Sequence, residues 1–238
     1  MLILKKSNPQ HSATQAEPTR RQFLKYSGVA VAIVGSGSLL FGGCKDDDDS
    51  SPSDKVNLGS GDVGVLNYAY ALEQLEAAFY AQVIAGGYWA NASADEKQIL
   101  ADIEKHERAH REFFKAAIAT VGTPITDLEV DFSSINFSDR SSVLGTAKTF
   151  EDLGVSAYNG AGKLLTNADY LLAAGKIVSV EARHAAAIRS IFDSSPKSFA
   201  GDDVVDNNGL DVAKTPTQVL NAAKSFLKTS LDASGLPG

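Results

Sequence analysis

Residues 107–110 read Glu-Arg-Ala-His, and residues 181–184 read Glu-Ala-Arg-His. Both are Glu-x-x-His motifs, in which two polar side chains stand three positions apart. On an α-helix, residues at this spacing lie on one face, one turn apart. The motifs therefore predict two helices that each present a carboxylate and an imidazole to the same side.

A second pattern precedes each motif along the chain, a glutamate followed seven residues later by a tyrosine. The two pairs are Glu73 with Tyr80 and Glu151 with Tyr158. Each half of the chain thus reads Glu-x6-Tyr and then Glu-x-x-His. This order predicts an internal repeat of two helical hairpins.

Five amphipathic stretches follow one another, and no strand pattern of useful length interrupts them. A capping box at Ser93 to Glu96 begins the second helix, and Thr215-Pro216 begins the fifth. The predicted helices cover about 62–85, 93–122, 138–165, 166–195 and 215–234. Short turns join helices one to two and three to four, whereas a long segment joins two to three. This connectivity predicts an all-α fold, a four-helix bundle with one long crossover plus a C-terminal fifth helix.

The apolar stripe of each long helix contains a carboxylate. On the second helix, for example, Glu107 lies on the stripe of Ile103 and Phe114. Burying an unpaired carboxylate is unfavourable. Four carboxylates on the inner faces of one bundle therefore need a common partner that offsets the unfavourable burial of their charge.

The segments 72–80, 103–110, 150–158 and 180–186 resemble the ferritin-like domain family, in particular its exported members, which include plant desiccation-related proteins. The resemblance covers about residues 62–194 and implies a ferritin-like four-helix bundle, which we place in a domain spanning 62–234. It implies a di-metal carboxylate centre with one glutamate from each of two helices and Glu-x-x-His from each of the other two. The implied ligands are Glu73, Glu107, His110, Glu151, Glu181 and His184.

Charge balance supports two divalent ions at such a centre. Four carboxylates carry four negative charges, which two divalent cations neutralise, whereas like charges alone would force some glutamates to protonate. Carboxylates with two imidazoles suit iron or manganese, and zinc is an alternative. Glu76 lies one turn from Glu73 and is an alternative ligand, although the Glu-x6-Tyr repeat favours Glu73.

Three further residues are predicted to surround the ligands without binding a metal. In relatives, tyrosines placed like Tyr80 and Tyr158 hydrogen-bond ligating carboxylates. His106 lies one turn before His110 and is predicted to have a similar supporting role or to be a satisfied core histidine. No residue is assigned a catalytic role from the sequence.

Residues 106–110 also match His-Glu-x-x-His, the motif of zinc metallopeptidases, in which both histidines bind zinc and the glutamate is the general base. The extended form of that motif fails because Phe113 occupies the glycine position. The second half of the chain has Val180 where a histidine would be needed. A zinc metallopeptidase is therefore the minor alternative.

These patterns favour a di-metal protein that reacts with oxygen or peroxide, as an oxidase or peroxidase-type oxidoreductase, or that handles metal. The alternative is a non-catalytic envelope stress protein of the desiccation type with the same bundle. A homo-oligomer is compatible with either function.

The N-terminal residues 1–44 predict an export signal. Residues 20–25, Arg-Arg-Gln-Phe-Leu-Lys, precede a weakly apolar run and resemble the bacterial twin-arginine signal, which implies the twin-arginine export machinery as a partner. Cys44 ends a lipobox-like stretch, with Phe41 where leucine is usual, and is predicted to be lipidated and to anchor the chain to a membrane. Residues 45–61 are predicted to be a disordered acidic tether. The expected location is the periplasm or the cell surface of a bacterium.

The charge balance and the cysteine count of the chain argue against nucleic-acid binding and exclude an intrachain disulfide. The 238-residue chain has 22 basic and 29 acidic side chains, for a net charge of −7. The acidic balance provides no electrostatic footprint for nucleic acid. A single cysteine excludes an intrachain disulfide. The acidic segment 198–214 is predicted to be a solvated connection, and a lid or a weak cation site is the alternative.

Overall fold

The computed structural model describes residues 55–237. The described chain is an all-α bundle with one very small sheet, so the predicted fold class is confirmed. In chain order the elements are β1 Lys55–Asn57, α1 Gly61–Ala85, α2 Gly87–Asn91, α3 Ala94–Ala119, α4 Arg140–Ala161, α5 Ala168–Phe192, α6 Pro216–Ala223 and β2 Ser230–Asp232.

The ends of the long helices follow local capping chemistry. At the start of α3, the Ser93 hydroxyl accepts a hydrogen bond from the Glu96 amide, and the Glu96 carboxylate accepts one from the Ser93 amide. This reciprocal pair confirms the predicted capping box. Asp139 caps α4 and Asn167 caps α5 through their side chains. The one-turn helix α2, which follows Gly86, is not predicted by the sequence because five residues are too few for a periodic pattern.

The four long helices form two antiparallel pairs, α1 with α3 and α4 with α5. The long crossover between α3 and α4 is held along α1 by two buried amide side chains. Asn67 accepts a hydrogen bond from the Ile125 amide at 3.0 Å, and Gln74 accepts one from the Leu128 amide at 2.8 Å. Since these side chains satisfy backbone amides of the crossover, the crossover has a fixed path over the bundle.

The predicted fifth helix is too long. Helix α6 ends at Ala223, and a single 3-10 turn follows it at Lys224–Phe226. Beyond that turn the backbone pairs with the crossover instead of continuing the helix: the Asp131 amide donates to the Phe226 carbonyl and the Lys228 amide donates to the Glu129 carbonyl. Long-range partners have replaced the local hydrogen bonds that the amphipathic pattern predicted.

The predicted disordered tether, residues 45–61, is too long at its C-terminal end. Residues Lys55–Asn57 form β1, which pairs in parallel with β2 so that Val56 lies opposite Leu231. Leu58 is fully buried in the core. The partner strand lies at the other end of the domain, so no local pattern indicates this pairing. Residues 45–54 of the predicted tether, the twin-arginine segment and Cys44 lie outside the described residues.

The segment 198–214 packs on α4 and α5, although a solvated connection was predicted. Its backbone is fixed where the Lys214 amide donates to the Ser156 carbonyl at 2.9 Å. Arg189 of α5 is 3% exposed and pairs with Asp152 of α4 and with Asp203 of the segment. We refer to residues 198–214 as the strap. None of the helices within residues 55–237 is long and apolar enough to span a bilayer.

Candidate metal centre

The two halves of the sequence repeat meet in the middle of the bundle. Four ligand atoms, from Glu73, Glu107, His110 and Glu181, lie within 4.8 Å of one another. A second set of four, from Glu107, Glu151, Glu181 and His184, satisfies the same distance. We call the first the His110 group and the second the His184 group. Glu107 and Glu181 belong to both, so the two groups form one continuous cluster.

Both imidazoles present Nδ1 to the carboxylates. His110 Nδ1 lies 2.9 Å from Glu181 Oε1 and 3.5 Å from Glu73 Oε2. His184 Nδ1 lies 2.7 Å from Glu107 Oε1 and 3.5 Å from Glu151 Oε2. Each ring therefore directs the same atom towards carboxylates that come from other helices.

The four glutamates of the cluster are fully buried, each with a relative exposure of 0%. Several of their oxygens make no directed hydrogen bond, and neither does His184 Nδ1. The unpartnered oxygens are Glu73 Oε2, Glu107 Oε1, Glu151 Oε2 and both oxygens of Glu181. Buried carboxylates that face only one another and two imidazole nitrogens are unfavourable unless protons or metal cations lie among them. The cluster therefore fits divalent metal ions.

Two tyrosines cross the bundle to reach the carboxylates. Tyr80 of α1 donates a hydrogen bond to Glu151 Oε1 on α4, and Tyr158 of α4 donates one to Glu73 Oε1 on α1. Each Glu-x6-Tyr pair thus supports the glutamate of the other pair. The free oxygens of Glu73 and Glu151 are left facing the cluster.

Glu73, and not its neighbour Glu76, belongs to the His110 group. Glu76 is also buried, at 3% exposure, but it lies towards Gly154, where an added Cβ would be 3.0 Å from Glu76 Oε1. In the repeat, Gly154 follows Glu151 as Glu76 follows Glu73. The absent side chain of Gly154 leaves space for the extra carboxylate. The geometry favours Glu73 as the ligand from α1.

Burial and neighbouring charges raise the pKa values of two glutamates and of both histidines of the cluster. Burial raises the pKa of Glu73 well above its ordinary value and that of Glu151 to about 8. Although burial opposes them, the neighbouring carboxylates raise the pKa values of His110 and His184 to about 12. Without metal, protons are the cations that balance these charges. Bound divalent ions would displace them.

His106 belongs to neither group, in contrast to the zinc metallopeptidase alternative, which requires it to share an ion with His110. Its Nδ1 lies 2.9 Å from Nε2 of His184, on the side of that ring opposite to the carboxylates. His106 therefore contacts a candidate ligand from outside, as a supporting residue does. The geometry favours the di-metal interpretation over the peptidase.

The sequence did not single out Arg189, which the structure places close behind the centre. The Arg189 guanidinium binds both carboxylate oxygens of Asp152, at 2.7 and 2.8 Å, and Asp152 directly follows Glu151. In the sequence, Arg189 is marked only by its position next to Ile188, which lies on the inner stripe of α5. An exposed arginine at the edge of the stripe would have the same position, so the sequence does not predict its burial.

A four-helix bundle with a buried carboxylate and histidine cluster defines the class of protein. The model of the ferritin-like domain family matches residues 61–194, more than half of the chain. The chain therefore belongs to the ferritin-like domain family. A search of curated proteins found no significant match.

Proposed function

We propose that the six clustered side chains bind two divalent metal ions, iron or manganese. The observation that carries this proposal is that the His110 group and the His184 group share Glu107 and Glu181. Each ion would then have one imidazole and one glutamate of its own, Glu73 or Glu151, and two carboxylates in common. The four negative charges of the glutamates balance two divalent ions.

We propose a redox role for the loaded centre, as an oxidase or peroxidase-type oxidoreductase that acts on oxygen or peroxide. Bound iron or manganese would supply a redox couple to a site otherwise made of groups without one. The protein would hold the ligands by helix packing, restrict water through the buried bundle interior, and orient Glu73 and Glu151 through Tyr158 and Tyr80.

Metal analysis of the full chain and its variants tests the centre. We expect two ions per wild-type chain, at most one after His110→Ala or His184→Ala, and none after Glu107→Ala or Glu181→Ala, since these two residues belong to both groups. Glu104→Ala is the matched control, because Glu104 lies on the same helix and pairs with Arg108 instead. Unchanged metal content in both shared-glutamate variants would refute the proposed centre.

Oxygen and peroxide consumption by the loaded protein tests the redox role. Turnover that Glu107→Ala abolishes and Glu104→Ala preserves is the expected result. Two bound ions without consumption of either oxidant would instead support metal handling or a non-catalytic envelope stress function.

We also propose that residues 1–44 direct export through the twin-arginine machinery and that lipidated Cys44 anchors the chain to a membrane. Support comes from the sequence Arg-Arg-Gln-Phe-Leu-Lys at 20–25 and from the lipobox-like end. Replacing Arg20 and Arg21 by lysine should retain the chain in the cytoplasm. Cys44→Ala should release an exported chain from the membrane, and unaltered fractionation of both variants would contradict the proposal.

A further inference from the structure

The two halves of the repeat differ at the position one turn before each candidate histidine ligand. His106 precedes His110 by four residues, whereas Val180 precedes His184 by four residues. Both positions lie on the same face of their helices as the histidine that follows. The repeat therefore has an imidazole in one half where it has an aliphatic side chain in the other.

In the bundle, His106 supports the histidine of the other half. His106 Nδ1 lies 2.9 Å from His184 Nε2. The two ring planes differ by only 8° and their centroids are 5.1 Å apart, so the rings lie nearly end to end in one plane. This is the geometry of a linear hydrogen bond between two imidazoles.

The contact with His106 bears on which nitrogen of His184 would offer a lone pair to a metal ion. A metal ligand must present an unprotonated nitrogen, and His184 presents Nδ1 to Glu107 at 2.7 Å. With an ion bound at Nδ1, the ring proton would reside on Nε2, from which it would be donated to His106 Nδ1. A partner on the distal nitrogen fixes both the tautomer and the ring orientation of a metal-binding histidine.

His110 has no equivalent support. Among residues 55–237, no protein group hydrogen-bonds His110 Nε2, and all of its polar contacts are made through Nδ1. The repeat offers only Val180 at the corresponding position, which has no polar side-chain atom. His110 is also the one member of its group that is not fully buried, whereas the entire His184 group is buried.

We propose that the two metal positions are inequivalent: the His184 group binds the first ion more tightly, and His106 is the positioning residue that makes it so. The inference rests on the proposed di-metal centre and adds the order in which it fills. The enclosed and preorganised group needs less rearrangement to accept an ion than the group whose histidine has no hydrogen-bond partner on its distal nitrogen.

Stepwise titration of the chelator-treated full chain with manganese(II) tests the proposal. We expect two resolved binding steps in the wild type. His106→Val copies the other half of the repeat, and it should weaken the first step by about 10- to 100-fold while leaving the second unchanged. His106→Asn provides an acceptor oxygen near the position of Nδ1 and should restore the first step. Val180→His is the reciprocal variant and should strengthen the second step.

The outcomes separate this inference from the proposed function. Absence of manganese binding in the wild type would defeat the di-metal centre itself. Two bound ions with both affinities unaltered in His106→Val would overturn the positioning role and leave the centre intact. Equal weakening of both steps, without restoration by His106→Asn, would also overturn it, because it would show a general structural defect. His106 is largely exposed, so its variants are expected to fold.

Discussion

The hydroxyl of Tyr158 on α4 donates a hydrogen bond to Glu73 on α1, across the centre of the bundle. The reciprocal bond runs from Tyr80 on α1 to Glu151 on α4. The repeat in the sequence is therefore interlocked in space, because each hairpin orients a carboxylate of the other. Loss of one tyrosine hydroxyl leaves a fully buried carboxylate oxygen without a donor.

Replacement of either tyrosine by phenylalanine should destabilise the protein. Tyr158→Phe and Tyr80→Phe should each lower the free energy of unfolding by about 1–3 kcal/mol in denaturant titrations, which is the range for a buried acceptor left unpaired. Tyr68→Phe is the matched control, since the Tyr68 hydroxyl is buried without a hydrogen-bond partner. Its removal should be neutral or stabilising. An equal loss in all three variants would contradict the role of the crossed hydrogen bonds.

The stability of the metal-free chain should fall as the pH rises. Burial raises the pKa of Glu151 from 4.5 to about 8, so the folded state retains a proton that the unfolded state releases. The stability from this group is present below pH 4.5 and is lost as the pH rises towards 8. Burial alone would lower the pKa of His184, but the neighbouring carboxylates raise it from 6.5 to about 12. The stability that protonated His184 contributes is therefore also lost as the pH rises above 6.5.

Thermal denaturation at about pH 5 and about pH 8, with chelator and with manganese(II), measures this dependence. The midpoint of the metal-free chain should be lower at the higher pH. Metal should raise the midpoint most at the higher pH, because protons no longer compete with it. Glu151→Gln stays neutral at every pH and should flatten the metal-free profile. A metal-free midpoint that rises with pH would disprove the assignment.

Replacing a glycine by alanine should have opposite effects on stability at two positions in the paired helices α4 and α5. An added Cβ at Gly160 would lie 1.8 Å from the Lys214 carbonyl oxygen of the strap, whereas at Gly175 it would meet nothing within 4 Å. Gly160→Ala should therefore displace the strap and destabilise the fold. Gly175→Ala should stabilise it by about 1 kcal/mol through helix propensity. Thermal denaturation compares them directly, and stabilisation by Gly160→Ala would rule out the close approach of the strap.

Arg189 should hold the strap against α4 and α5. Its side chain is 4% exposed and forms the ion pairs with Asp152 and Asp203. The carboxylates left behind are 18% exposed for Asp152 and 58% exposed for Asp203, so Arg189→Ala should lower the unfolding free energy by about 1–2 kcal/mol, between the values for surface and for buried pairs. Amide hydrogen exchange should accelerate across 198–214.

The control variant is Lys105→Ala. It breaks an ion pair in which the lysine side chain is 58% exposed, and it should have almost no effect on stability. Equal effects would refute the role of Arg189.

Local patterns were sufficient for the long helices and for the type of candidate centre. The capping box at Ser93 and the Glu-x-x-His spacing depend on contacts within one helical turn, and the structure has both as predicted. The end of the fifth helix and the strand at Lys55–Asn57 were not predictable, because their hydrogen-bond partners lie far away in the sequence. Periodicity contains no information about such partners.

The amino-acid sequence by itself determined that four helices would each bury a carboxylate and that two of them would add a histidine, since spacing within a helix sets which side chains share a face. Only the tertiary structure decided between Glu73 and Glu76 as a member of the cluster, and gave His106 its partner His184. Both outcomes depend on how helices pack across the bundle. That packing is set by distances between elements, which no local pattern specifies.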